Sequence, residues 1–163
     1  MVVADTFAGK NIHDIIINLF GHPREMAQTA GVDNYPGLGM TWVTGGYDLD
    51  PAEDNDADWA GILGALGDQD LDTVYADNHA CFVVPPMCTA WAQYVTSGGA
   101  LIKGDLLGVS GATDGNMAKL TGAGILPRGR FEVCPNGDIY KADIAAMNII
   151  GITVLFGGTV ALA

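Results

Sequence analysis

Positive charge is scarce in this chain: four Lys and three Arg stand against sixteen Asp and three Glu, a net charge of −12 at pH 7 over 163 residues. Such a surface repels phosphate, which sets nucleic-acid binding aside, and it suits solubility in strong salt, where self-repulsion is screened. Glu and Lys, the charged residues that favour helices, are few, whereas 23 Gly and 7 Pro accompany the Asp-rich balance. Turns and strand ends take those residues, so a mainly β protein is expected. Serine occurs only at Ser97 and Ser110, and Gly-Val-Ser110-Gly runs on into Ala112, so the nucleophile elbow of serine hydrolases is not formed. The three cysteines, Cys81, Cys88 and Cys134, form no C-x-x-C pair, and their odd number fits buried thiols in a reducing compartment. MVVADTFAGK has no basic stretch leading into a long apolar run, so no signal peptide is read there and production in the cytoplasm is expected.

What is present is apolar and heavily punctuated. Hydrophobic residues make up 49% and charged residues 16%, enough at this length for a core without disulfide or metal staples. Residues 144–163 are nearly uncharged and as long as a membrane span, but Gly151, Gly157, Gly158 and the β-branched residues between them point to a closing hairpin. Its strands are expected at Ile149–Phe156 and Thr159–Leu162, and no membrane association is expected. Near the start, Ile12, Ile15, Ile16 and Leu19 fit a short helix over Asn11–Phe20, and Ile15 to Ile17 fit a strand as well. Residues 1–30 are read as an N-terminal arm or docking segment, with packing into the protein's own core as the first core element weighed beside it, and 31–163 as a single β-rich domain.

Turn residues place the other strands. Pro36-Gly37 opens Leu38–Thr44, Asn78–Val84 closes at Pro85-Pro86, and Thr89–Thr96 follows. Leu106–Val109 and Met117–Leu120 flank a turn-rich stretch with Asp114-Gly115. Arg130–Val133 and Ile139–Lys141 flank Cys134 and Pro135-Asn136-Gly137-Asp138, a hairpin signal. Short strands about ten residues apart imply a compact antiparallel β-barrel or sandwich with long loops. No internal repeat is evident.

Candidate chemistry is sparse. Asp48, Asp50, Glu53, Asp54, Asp56 and Asp58 crowd eleven residues, and Asp54-x-Asp56-x-Asp58 opens like an EF-hand loop. Trp59 then replaces the glycine and Ala65 the bidentate Glu, so a solvated acidic loop is expected in place of a metal site. His13, His22 and His79 lie far apart, and His79 with Cys81 lacks a second ligand pair for zinc. Gly122-Ala-Gly124 leads into Ile-Leu-Pro127, short of a dinucleotide fingerprint. No catalytic, cofactor-binding or metal-binding residue is assigned.

The order of segments nevertheless resembles a known family. Tyr35-Pro36-Gly37 opening a strand, Tyr75-Ala76-Asp77, Pro86-Met87 and then GGALIKGDLLGVSGATDGNMAKL is similar to the head-decoration, or capsid cement, proteins of tailed phages and archaeal tailed viruses. Ile102, Gly104, Asp105, Leu107, Gly115 and Leu120 carry the likeness, which spans roughly residues 35–121. It implies a non-enzymatic virion protein on the outer surface of the capsid, assembled in the host cytoplasm. Its partners would be the major capsid protein and its own copies, as a trimer, and it would need no cofactor. Capsid contacts are expected in the N-terminal segment and in loops at one end of the barrel. The alternatives are another virion part, such as a turret, spike base or tail component, or a small β-barrel ligand-binding module or enzyme.

Overall fold

The computed structural model describes residues 16–17, 25–29, 34–43, 48–54, 56–64, 74–76, 80–95, 99–121, 126–142 and 148–156. Every regular element among them is a strand: β1 (Ile16–Ile17), β2 (Glu25–Thr29), β3 (Gly39–Trp42), β4 (Asp48–Pro51), β5 (Trp59–Leu63), β6 (Ala80–Val84), β7 (Thr89–Tyr94), β8 (Leu101–Ile102), β9 (Leu106–Val109), β10 (Met117–Lys119), β11 (Gly129–Val133), β12 (Tyr140–Lys141) and β13 (Asn148–Val154). The mainly β barrel expected from composition is what the chain forms. Among the described residues no helix is long and apolar enough to cross a membrane.

The strands close into two five-membered rings. The first runs β2-β4-β3-β5-β6 and back to β2. In the second, pairing of β13 with β7 closes the order β7-β10-β9-β11-β13. Both rings follow one rule: in chain order the sequence around the ring is first, third, second, fourth, fifth. The first and third strands are parallel (β2 with β4, β7 with β10) and every other ring pair is antiparallel.

This repeat, invisible in the residue string, holds register by register. Met40 faces Pro51 and Gly61 in the first ring, and Leu107 faces Lys119 and Gly129 in the second. Leu63 faces Val83, and Phe131 faces Ile152; Thr29 faces Leu49, and Tyr94 faces Met117. The interior set Met40, Leu49, Leu63, Cys81 and Val83 therefore recurs as Leu107, Met117, Phe131, Ile150 and Ile152. All ten side chains are fully buried. None of the five pairs is an identity; what recurs is an apolar side chain aimed inward, each stabilising the fold by on the order of 1.5–3 kcal/mol.

The second strand of each ring is also entered alike. Tyr35-Pro36-Gly37-Leu38 and Ile102-Lys103-Gly104-Asp105 are the same turn, with Leu38 N donating to Tyr35 O (3.3 Å) and Asp105 N to Ile102 O (2.9 Å). Its third position is left-handed (φ 89° at Gly37, 99° at Gly104), which is why both turns need glycine there. In each, that glycine N donates to the fourth strand, to Leu63 O (2.7 Å) or Phe131 O (2.8 Å).

The rings are packed against each other. Trp59, Ile62, Phe82 and Val84, on the outside of the first ring, belong to the same apolar cluster as the interior of the second, while Leu38, Met40, Leu49, Leu63, Cys81 and Val83 fill the first ring itself. Gly115, at φ 73°, links the rings by donating to Ala52 O (2.8 Å) and accepting from Gly39 N (2.6 Å). A Cβ there would come within 3.0 Å of Leu38 Cβ, so the contact requires glycine. Trp59 Nε1 donates to Leu155 O (3.1 Å). Arg128, almost wholly buried, lies 5.5 Å from the Trp59 ring centre and donates to the Asp56 carbonyl.

Several local expectations change. Arg130–Val133 does not pair with Ile139–Lys141: β9 and β13 occupy both edges of β11, so β12 turns away and pairs with β8. The acidic stretch is not all loop, because Asp48–Pro51 is β4 and pairs with β2 and β3. Of residues 1–30, the described ones take the core alternative: β1 pairs with β7, and β2 is a member of the first ring. Ile16–Ile17 takes the strand alternative; the rest of the expected Asn11–Phe20 helix lies outside the described residues, as does the closing strand Thr159–Leu162.

Candidate functional site

The second ring carries an addition. Between its first and second strands lies β8, and between its fourth and fifth lies β12; together they form a two-stranded flap with Ile102 opposite Tyr140 and Leu101 opposite Lys141. Leu101 is buried and anchors the flap, and Lys103 N donates to Ile139 O (2.9 Å). The turn aims the flap: Asp105 Oδ2 accepts from Ile102 N (2.9 Å) and from Lys119 Nζ (2.8 Å). Burial pushes the Asp105 carboxyl up, but the Lys119 and Ile102 hydrogen bonds and the Lys119 charge outweigh it and hold its pKa below the ordinary value. The residues that carry the family likeness, Ile102, Gly104 and Asp105, thus build the turn that presents the flap.

The flap is unusually apolar for an exposed element: Ile102 is 57% exposed, Ile139 58% and Tyr140 55%. Apolar side chains grouped this way on a surface mark contact sites. The first ring has the counterpart in the same place. Asn34 bridges Tyr75 between the matching strand pairs, as Leu101 bridges Lys141. Tyr35 and Val74 therefore stand where Ile102 and Tyr140 stand, and Val74 is 47% exposed. The register repeat thus extends to one exposed apolar position, Val74 with Tyr140, whereas Tyr35, in the place of the exposed Ile102, packs against the first ring's core.

Charge separates the first ring from the rest of the chain. Residues 25–102 hold twelve Asp and Glu and no Lys or Arg, so the whole net charge of −12 belongs to that stretch; the flanking stretches 1–24 and 103–163 are each balanced. Around the second flap Lys103 (3.6 Å) and Arg130 (2.8 Å) share Glu132. Burial raises the Glu132 carboxyl, but hydrogen bonds from Thr153 and Arg130 and the charges of Arg130 and Lys103 bring it below the ordinary value. Lys141 lies on the flap itself. Sequence reasoning missed this site, although a signal was there: no cation stands between Arg24 and Lys103.

The other candidates are dispersed. Asp56 Oδ2 accepts from Glu53 N (2.7 Å), and Asp58 O accepts from Trp42 N (2.9 Å) and Thr41 Oγ1 (3.0 Å). Among the described residues no three His, Cys, Asp or Glu side chains are grouped as a metal site would need. Cys81, Cys88 and Cys134 are free and buried, and desolvation pushes Cys81 up to about 12, far from nucleophilic use. Ser110 Oγ accepts from Ala112 N (3.2 Å). His13, His22, His79, Ser97, Gly122 and Gly124 lie outside the described residues. On the outside of the second ring an open dent of about 50 Å³ lies among Thr89, Trp91, Glu132, Val133 and Gly151.

A scan of protein-family models and a search of curated proteins found no match to this chain.

Proposed function

We propose that this chain is a non-enzymatic virion structural protein: a capsid decoration protein that binds the outside of the major capsid lattice and reinforces the head, with its own copies as further partners. One observation carries the reading. Two rings of one register, packed into a single body, each expose an apolar side chain at the same position, Val74 in the first and Tyr140 in the second. A rigid scaffold with repeated apolar contact points suits multivalent binding to a lattice, where weak contacts add up without any reacting group. The segment order that resembles capsid cement proteins supports the same conclusion, and the family's trimeric assembly is proposed with it. The anionic first ring would face solvent and oppose aggregation of decorated particles.

Quantitative peptide mass spectrometry on purified virus particles tests the reading. A copy number of the same order as the major capsid protein is expected. A few copies per particle would make it a tail, spike-base or turret part, and absence from the particle would overturn the reading.

A further inference from the structure

We propose that Asn136-Gly137, at the tip of the turn leading into β12 of the flap, is a self-modification site: the Gly137 amide nitrogen displaces the Asn136 side-chain amide, leaving aspartate or isoaspartate and loosening the flap. It is the only Asn-Gly pair in the chain. Asn136, Gly137 and Asp138 are all exposed. Glycine leaves the attacking nitrogen unscreened by a side chain, and a Cβ built on Gly137 would meet no atom of the described residues within 4 Å. Two backbone hydrogen bonds hold the turn, from Gly137 N to Cys134 O (2.9 Å) and from Cys134 N to Asp138 O (2.7 Å). The first must open before the nitrogen can attack, and an exposed loop tip is where such opening costs least. Asp114-Gly115 could close the same five-membered ring, but there Gly115 is buried and its N donates to Ala52 O (2.8 Å), which fixes the pair between the rings.

The reaction oxidises nothing and consumes only water. The Gly137 nitrogen loses its proton to hydroxide and attacks Asn136 Cγ. The N–Cγ bond forms, the Cγ–Nδ2 bond breaks, and Nδ2 takes a proton from water and leaves as ammonia, regenerating hydroxide. Water then opens the cyclic imide. Attack at Cγ gives aspartate, and attack at the main-chain carbonyl gives isoaspartate, whose main chain runs through Cβ and Cγ. Both products carry a carboxylate. Asn136 Nδ2 now donates to Asp138 Oδ2 (2.6 Å), so that hydrogen bond becomes a contact between two carboxylates. Isoaspartate also adds a carbon to the main chain, and the two bonds that close the turn cannot both keep their register. The adjoining Ile139 O accepts from Lys103 N (2.9 Å), and β12 starts at Tyr140, so the loss passes directly to the flap. The protein thereby carries a one-way clock that records its age at an exposed apolar element, whatever that element touches.

The experiment ages the full chain at about pH 8.5 in heavy-oxygen water, beside the same chain unfolded in urea and an Asn136→Gln variant, whose larger ring closes far more slowly. Trypsin releases the peptide Phe131–Lys141, in which Asn136 carries the only side-chain amide. That peptide is expected to exchange its amide nitrogen for labelled oxygen and to elute as two forms. In the folded chain it should convert within about a hundredfold of its rate in urea. Conversion should slow about tenfold per unit fall in pH, because the nitrogen must first lose its proton. The Lys103 and Cys134 amide hydrogens should exchange at least about threefold faster in the aged chain and remain unchanged in aged Asn136→Gln. Conversion in the folded chain more than about a hundredfold slower than in urea, isoaspartate forming as fast at Asp114 as at Asn136, or Lys103 and Cys134 amides that exchange alike before and after conversion would each overturn the proposal.

Discussion

The first and second rings share one register but use their outer faces differently. Ile62, Phe82 and Val84 face outward from the first ring and are buried against the second. By register their counterparts are Arg130, Gly151 and Thr153, where Arg130 and Thr153 engage Glu132 on the surface. One strand order thus serves as an internal wall in one copy and as a polar outer surface in the other. Inward residues are dictated by the ring, and outward residues by whatever lies next to it.

The largest test of that equivalence is truncation at a matched interior position. Phe131→Ala should cost about 4 kcal/mol and Leu63→Ala about 3 kcal/mol, each leaving a cavity in its own ring. Both should lower a single thermal transition measured by calorimetry; two separated transitions would show that the rings are independent despite their shared apolar cluster.

The matched glycines should part company. A Cβ at Gly61 would lie 2.1 Å from the Val84 carbonyl oxygen, at φ 135°, so Gly61→Ala should cost about 3 kcal/mol or more. At Gly129 the nearest atom is Ile152 Cδ1 at 2.9 Å, the end of a side chain that can rotate, and Gly129→Ala should cost about 1 kcal/mol. Urea titration of both variants measures the difference, and equal costs would refute the geometric account.

A third test uses the turn position that differs most, Leu38 against Asp105. With its folded pKa below the ordinary 3.8, Asp105 contributes stability above that value and loses it as pH falls through the folded one. Asp105→Asn should cost about 1–2 kcal/mol at pH 7 and flatten the acid limb of melting temperature against pH. Leu38, which does not titrate, offers no such limb in the first ring. The smallest effect is that of salt: screening the anionic stretch should raise the melting temperature by a few degrees between 0.05 and 1 M NaCl. Neutralising four Asp between 48 and 58 as Asn should remove part of that rise.

Strand positions were largely readable from the chain because turns are local. Pro36-Gly37, Pro85-Pro86 and Asp114-Gly115 bound β3, β6, β7, β9 and β10 as their chemistry requires. Pairing partners were not readable, since β12 chooses β8 over its sequence neighbour only because ring closure fills both edges of β11. The repeat escaped notice for a related reason. Met40 and Leu107, or Cys81 and Ile150, are alike in burial and unlike in name. The flap was hidden because the residue string does not say whether Ile102 and Tyr140 point into a core or into water.

The buried outer face of the first ring has a consequence during synthesis. The first ring is complete once β6 has been made, while the strands that cover Ile62, Phe82 and Val84 are still to come. Until β13 closes the second ring, the nascent chain carries an uncovered apolar wall, the kind of intermediate that sticks to its neighbours. The stretch that forms this wall is also the one without a single Lys or Arg. Half-finished chains on neighbouring ribosomes would therefore be held apart by mutual repulsion through the interval in which they are most adhesive.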